Sequence, residues 1–120
     1  MDIVSTKTIL EKAALNITCT SISLPAASIR WEKNGSMLAD TNGVSIKTSV
    51  DGKITRSSVE ISSASYLHNG TYSCIAFNKY GSGMQKTAIQ VYGKIKLLYI
   101  LFKNFRSLLF YKYFYHYFIY

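Results

Sequence analysis

Two cysteines, Cys19 and Cys74, are the residues of this chain whose type and number first suggest a covalent chemistry. They are separated by 55 residues, and the chain contains no Cys-x-x-Cys pair of the kind found in redox and metal sites. The two histidines, His68 and His116, stand far apart, and the six acidic residues are scattered. Nucleophilic and acid–base catalysis need such side chains in recognisable groups. The sequence therefore predicts no catalytic residue, no metal site and no cofactor.

Short alternating runs separated by turn residues predict an all-β domain around the cysteines. In residues 15–19, the apolar Leu15, Ile17 and Cys19 alternate with polar residues, so one face of this strand should enter a core. Further strands are predicted at residues 3–10, 29–32, 45–49, 57–62, 72–76 and 85–91, with turns at 34–35 and 51–52 and a hairpin at 80–83. The inward positions of these strands would be Ile29, Trp31, Val59, Ile61, Ile89 and Val91.

The segment from His68 to Gly81 resembles the strand F signature of I-set immunoglobulin domains, D-x-G-x-Y-x-C-x-A-x-N-x-x-G. Residues 29–38 resemble strand C of that family and its Lys-Asn-Gly turn, and the likeness extends over about residues 5–93. It implies an immunoglobulin-like β-sandwich of two antiparallel sheets, with residues 1–93 as the domain and residues 3–10 as strand A or A′. Similar domains occur in neural adhesion molecules, hemicentin-like matrix proteins and the ectodomains of receptor kinases and phosphatases.

The resemblance also implies roles for single residues. Cys19 and Cys74 would form the disulfide between the sheets, Trp31 would pack on it, and the Tyr72 hydroxyl would bond nearby backbone as a tyrosine corner. Closing a loop of this size should stabilise the fold by roughly 4 kcal/mol through loop entropy. The one departure is His68, where the family usually has Asp, so the corner before strand F loses a carboxylate. We expect a small local cost and no change of fold.

Three Asn-x-Ser/Thr sequons make Asn16, Asn34 and Asn69 candidate glycosylation sites. Alternation directs Asn16 outward on its strand, while Asn34 and Asn69 fall at turns. None of the three lies at the centre of the sheet formed by strands C, F and G.

That sheet is where we expect a protein partner to bind. Alternation directs Arg30 and Glu32 outward on strand C, and Ile75 and Phe77 outward on strand F. These four residues would form a small apolar centre within a rim of mixed charge, a composition common in protein interfaces. The alternatives are that these are isolated surface apolar residues of the kind that any domain exposes, or that a neighbouring domain covers them.

The net charge of +8 is distributed unevenly along the chain. Residues 1–93 are only mildly basic, so no nucleic-acid partner is predicted.

Residues 94–120 contain five basic and no acidic residues, and eleven of these 27 residues are Phe or Tyr. Three interpretations of this tail stay open. The first is a membrane-spanning helix, which Lys103, Arg106 and Lys112 would interrupt. The second is a segment that lies at the membrane interface, although the residues show no clean polar face. The third is translated intron sequence, which would explain the excess of residues that A/T-only codons can encode.

The cysteines and the family resemblance indicate an oxidising compartment, although residues 1–5 do not resemble a signal peptide. We therefore expect a fragment of a longer cell-surface or matrix protein. Its function would be non-catalytic recognition in adhesion, through a homophilic or heterophilic protein partner or neighbouring immunoglobulin domains. The alternatives are an intracellular filament-type spacer with reduced thiols and an ectodomain fragment of a receptor tyrosine kinase or phosphatase.

Overall fold

The structure, a computed structural model, describes residues 4–41 and 43–94. Within these ranges the chain forms strands β1 to β8, and a 3-10 turn, Tyr66–His68, precedes β7. The strands are β1 Val4–Leu10, β2 Leu15–Ile22, β3 Ser28–Lys33, β4 Ser36–Met37, β5 Val44–Asp51, β6 Ile54–Ile61, β7 Gly70–Asn78 and β8 Gly81–Tyr92. No helix in the described part of the chain is both long and apolar enough to cross a membrane. The three interpretations of the tail concern residues that lie, from residue 95 onward, outside the part of the chain that the structure describes.

The strands form two sheets, which confirms the predicted all-β architecture. One sheet has the strand order β1-β8-β7-β3-β4, and the other has the order β2-β6-β5. Every strand pair is antiparallel except β1 with β8, which is parallel. The first strand therefore takes the A′ position beside β8, and the five-stranded sheet is mixed instead of wholly antiparallel.

The alternating residues pack between the two sheets as predicted. On β2, Leu15, Ile17 and Cys19 are buried, while Asn16 and Thr18 are exposed. Side chains from both sheets complete the core, among them Trp31, Val59, Ile61, Tyr72, Cys74, Ile89 and Val91. A sheet that buries one face against another sheet requires this two-residue period.

Two turns differ from their predicted form. The strands β5 and β6 extend further than expected and leave Gly52 and Lys53 as their connection. The hairpin between β7 and β8 is also tighter, because Asn78 pairs with Gly81 and only Lys79 and Tyr80 stay outside the ladder. Glycine is depleted in strands, so the composition of residues 81–83 indicated a loop where the chain is already a strand. Strand β8 consequently begins four residues before the predicted start.

Candidate protein-recognition face

The outward side of the five-stranded sheet, which we call the recognition face, carries the residues predicted to bind a partner. Residues directly opposite each other on paired strands share a face of the sheet. Ile75 of β7 lies between Arg30 of β3 and Met84 of β8. The parallel rows on either side of it are Ser28–Phe77–Ser82 and Glu32–Ser73–Lys86. The structure therefore brings all four predicted residues together on one surface.

Arg30 connects an aromatic ring to a carboxylate across this face. Its Cζ atom lies 5.7 Å from the centre of the Phe77 ring, and its Nε atom lies 3.8 Å from Glu32 Oε1. Half of the Arg30 side chain is exposed, so the ion pair contributes little to stability. The cation–π contact contributes about 0.5–1 kcal/mol at an exposed site. Together these contacts orient Arg30 along the surface without removing it from a partner's reach.

The prediction that Ile75 supplies an exposed apolar centre is wrong. Ile75 is only 5% exposed, although its register opposite Arg30 places it on this face. Phe77 is the predicted apolar residue that stays accessible, at 38% exposure. Ile75 is therefore too buried to contact a partner, and its more exposed neighbours on the face would make that contact.

Sequence reasoning missed exposed apolar residues of the recognition face, among them Met84, Met37 and Val4. Met84 follows from the early start of β8, Met37 lies opposite Glu32 on β4, and Val4 lies opposite Lys86 on β1. Their exposed fractions are 58%, 76% and 43%, respectively. Because Ile89 and Val91 were predicted to face inward, continuing the alternation backwards along β8 would have placed Lys86 and Met84 outward. Methionine is flexible and polarisable, which suits a surface that adapts to a partner.

The outward side of the three-stranded sheet has a different composition. Its cross-strand rows are Asn16–Glu60–Ser45, Thr18–Ser58–Lys47 and Thr20–Arg56–Ser49. Lys47 Nζ lies 3.1 Å from Glu60 Oε2 on this surface. Its large apolar side chains in the described ranges are Ile22 and Ile54, which form the end row with Asp51. Of the two outer faces, the recognition face therefore carries more of the exposed large apolar side chains.

A disulfide and a hydrogen bond hold the two sheets together beneath these faces. Cys19 of β2 is bonded to Cys74 of β7, as predicted, with their Cα atoms 6.4 Å apart. Trp31 lies opposite Cys74 and is buried, and its Nε1 donates to Ser57 Oγ of the other sheet at 2.8 Å. Ser57 is a structural residue that the sequence did not reveal. The bond satisfies an indole N–H that would otherwise be buried without a partner.

The predicted tyrosine corner is present before β7. Tyr72 is buried, and its hydroxyl donates to the His68 carbonyl oxygen at 2.7 Å. Burial raises the pKa of Tyr72 to about 12. The hydrogen bond fixes the 3-10 turn against the start of β7, so this corner sets how the strand enters the sheet.

His68, which stands where the family usually has Asp, supplies a hydrogen-bond acceptor at this corner. Its Nδ1 accepts a hydrogen bond from the backbone N–H of Ser65 at 2.9 Å, which closes a capping box on the 3-10 turn. Lys33 Nζ donates to the Leu67 carbonyl oxygen nearby. Burial, and secondarily the charge of Lys33, lowers the pKa of His68. The imidazole is therefore held in its neutral, accepting form.

The three sequon asparagines lie outside the recognition face. Asn16 is exposed on β2, Asn34 lies in the turn between β3 and β4, and Asn69 follows the 3-10 turn. Among the described residues, no group of three His, Cys, Asp or Glu side chains could hold a metal ion. Glycosylation of the three asparagines and the binding role of the recognition face remain predictions.

Comparisons with known proteins agree with this architecture. The sequence model of the immunoglobulin domain family matches residues 5–84. Human IgLON family member 5 is 32% identical over 81 residues, which cover 68% of this chain and 23% of that protein. Cell adhesion molecule DSCAML1 from Mus musculus is 44% identical over 50 residues, which cover 42% of this chain and 2% of that protein.

A solved structure shows the same fold. The N-terminal eight immunoglobulin domains of Down Syndrome Cell Adhesion Molecule align with a TM-score of 0.70 at 24% identity, over 74% of this chain and 12% of that one. The chain thus spans less than a third of the length of these relatives.

Proposed function

This chain belongs to the immunoglobulin domain family, and from that premise we propose that it is a non-catalytic protein-recognition module of a cell-surface or matrix protein. Residues 1–93 would form the module, and the recognition face would make the contact. The partner would be another copy of the chain or a different protein.

The contrast between the two outer faces carries the proposal. Phe77, Met84 and Met37 expose apolar surface on one sheet, whereas the corresponding rows of the other sheet are polar except at its end. Exposed apolar side chains within a polar rim are typical of binding sites. A partner that covered them would gain the free energy of removing apolar surface from water, about 25 cal/mol for each Å².

The charged residues would decide which partner fits. Arg30 and Glu32 lie side by side and present charges of opposite sign to an approaching surface. Complementary charges on the partner would fix its register, and like charges would be rejected. Recognition would then result from shape and charge alone, without a chemical step.

The disulfide and the relatives support the proposed location. Disulfides persist in oxidising compartments and are rare in the cytosol. The family relatives include a protein named as a cell adhesion molecule. An adhesion role in the parent protein is consistent with both observations.

The test couples the full chain to fluorescent beads. Bead–bead aggregation measures self-recognition, and staining of cultured neural and epithelial cells measures binding to other proteins. Phe77→Asp places a charge in the apolar surface, and Met84→Asp does the same on the adjacent strand. Thr20→Asp is the matched control, because it puts the same side chain at an exposed strand position of the opposite sheet.

Binding that is lost in Phe77→Asp and Met84→Asp but kept in Thr20→Asp would support the recognition face. Binding that survives both substitutions in folded protein would exclude this face. Absence of binding in both assays would count against recognition and favour a spacer role. Circular dichroism of each variant establishes that the fold is intact.

A further inference from the structure

The folded chain uses the side-chain amides of its three sequons in different ways. Asn34 lies in a tight turn with a φ of +52°, and its Oδ1 accepts a hydrogen bond from the Thr71 N–H at 2.9 Å. Its Nδ2 lies against the backbone of Gly70, where a Cβ atom would come within 2.9 Å of it. Because Nδ2 is the atom to which a sugar would be attached, a glycan at Asn34 would have to displace this contact.

Asn69 is also engaged by the backbone. Its Oδ1 accepts a hydrogen bond from the N–H of Val91 at 2.6 Å, and Val91 is a buried residue of β8. The side chain therefore continues the β7–β8 ladder just before β7 begins at Gly70. A glycan on Nδ2 of Asn69 would be confined to the amide orientation that keeps Oδ1 on the Val91 N–H, since any other orientation would leave that N–H without its acceptor.

Asn16 has no comparable structural task. It is exposed on the outward side of β2, and no hydrogen bond to residues 4–41 or 43–94 engages its side-chain amide. Lys7 Nζ bonds only the main-chain oxygen of Asn16, at 3.2 Å. The sequon hydroxyl of Thr18 is exposed on the same side of the strand. The acceptor nitrogen is thus free to project into solvent.

We propose that Asn16 is the N-glycosylation site of this chain and that Asn34 and Asn69 stay unmodified. In the transfer, a bond forms between Asn16 Nδ2 and C1 of an oligosaccharide. The bond from C1 to the diphosphate of a lipid-linked donor breaks, the diphosphate leaves with the electron pair, and Nδ2 loses one proton. This inference rests on the proposed function, because only a chain that enters the secretory pathway meets the donor. The glycan would cover the polar sheet and leave the recognition face bare.

The experiment expresses the full chain behind a cleavable signal sequence in cultured mammalian cells. Enzymatic glycan removal in heavy-oxygen water converts each occupied asparagine to labelled aspartate, and peptide mass spectrometry reads all three sites. Thr18→Val, Ser36→Ala and Thr71→Val each remove one sequon but keep every asparagine, so the amide hydrogen bonds can persist. Thr18→Ser is the matched control that retains the Asn16 sequon. Both the secreted protein and the chain retained in the cells are analysed.

We expect label at Asn16 alone, loss of one glycan mass in Thr18→Val, and no mass change in Ser36→Ala or Thr71→Val. An unlabelled Asn16 in both fractions, or label at Asn34 or Asn69 in the secreted protein, would overturn the assignment. The bead and cell assays are repeated with Thr18→Val protein. If Thr18→Val protein still binds, or if Asn16 of the original protein is found unmodified while binding persists, the proposed function is retained. If Asn16 is glycosylated but no binding is detected, the glycosylation site is retained and the proposed function is not.

Discussion

The backbone N–H of Ser65 donates a hydrogen bond to His68 Nδ1 at 2.9 Å. An imidazole can accept at Nδ1 only when that nitrogen carries no proton. The Ser65 hydroxyl completes the capping box by accepting from the Leu67 N–H at 3.3 Å. This corner therefore depends on a neutral histidine, whereas a carboxylate in the same place would accept the bond in its charged form.

We predict that the chain loses stability as the pH falls below about 6.5, the ordinary pKa of histidine. Burial and Lys33 lower the pKa of His68 in the folded state. The unfolded chain therefore takes up the proton first, and the free energy of unfolding declines as pH falls from 6.5 toward the folded pKa. Urea unfolding followed by Trp31 fluorescence at several pH values between 8 and 5 measures the decline.

His68→Asp is the matched variant for this pH dependence. Its carboxylate should accept from the Ser65 N–H throughout this pH range and lie near the positive charge of Lys33. The decline between pH 7 and 5 should become smaller, although His116 is present in both proteins. Equal declines in the two proteins would show that His68 does not couple folding to pH.

Tyr72 gives a second, alkaline prediction. The folded pKa of Tyr72 is about 12, whereas an unfolded tyrosine ionises near 10. The unfolded state therefore loses its proton first, and stability falls as pH rises from 10 toward 12. At neutral pH, Tyr72→Phe should cost about 1 kcal/mol, because it removes the hydrogen bond to the His68 carbonyl oxygen.

Ultraviolet titration distinguishes Tyr72 from the chain's other nine tyrosines. The difference spectrum between the original protein and Tyr72→Phe should show one phenol that ionises late. Tyr66→Phe is the control, because Tyr66 is largely exposed. A difference spectrum with a midpoint near 10 would contradict the buried state of Tyr72.

Removing the disulfide should destabilise the fold by about 4 kcal/mol, since it closes a loop of 55 residues. The double variant Cys19→Ala with Cys74→Ala avoids a leftover free thiol. Chemical unfolding with and without a reducing agent provides the comparison. A reducing agent that leaves the unfolding midpoint of the original protein unchanged would disprove the bond's contribution to stability.

Much of the architecture could be read from residue alternation and from the family motifs at residues 29–38 and 68–81. Burial on one face imposes a two-residue period, so the inward positions of β2, β3 and β6 were assigned correctly. Strand ends were less accessible to sequence reasoning. Gly81 and Gly83 resemble loop residues, but pairing with β7 makes them part of β8. Local composition carries no information about such a tertiary partner.

The candidate site could be predicted only in part, for a related reason. Alternation gives the direction of a side chain but not its burial, so Ile75 was placed on the correct face while its low exposure was not predicted. The acceptor role of His68 depends on the path of the 3-10 turn, which brings the Ser65 N–H to the ring. The hydrogen bond between Trp31 and Ser57 joins two sheets and has no signature in either strand.

That last hydrogen bond supports a prediction about the core. Ser57→Ala would leave the Nε1–H of Trp31 buried without an acceptor, at a cost of about 1–3 kcal/mol. Thr48 Oγ1, 2.9 Å from Ser57 Oγ, would lose a partner as well, but the exposed Thr48 can turn to water. Urea unfolding followed by circular dichroism measures the change, since this readout does not require the indole.

A double-mutant cycle with Trp31→Phe isolates the hydrogen bond from the packing of the indole ring. Phenylalanine has no N–H donor, so Ser57→Ala should cost less in the Trp31→Phe background, with a coupling energy of about 1 kcal/mol. Ser58→Ala is the control, because Ser58 is the next residue of β6 and points to the outer side of the sheet. Additive costs for Ser57→Ala and Trp31→Phe would mean that the contact between the sheets is packing alone.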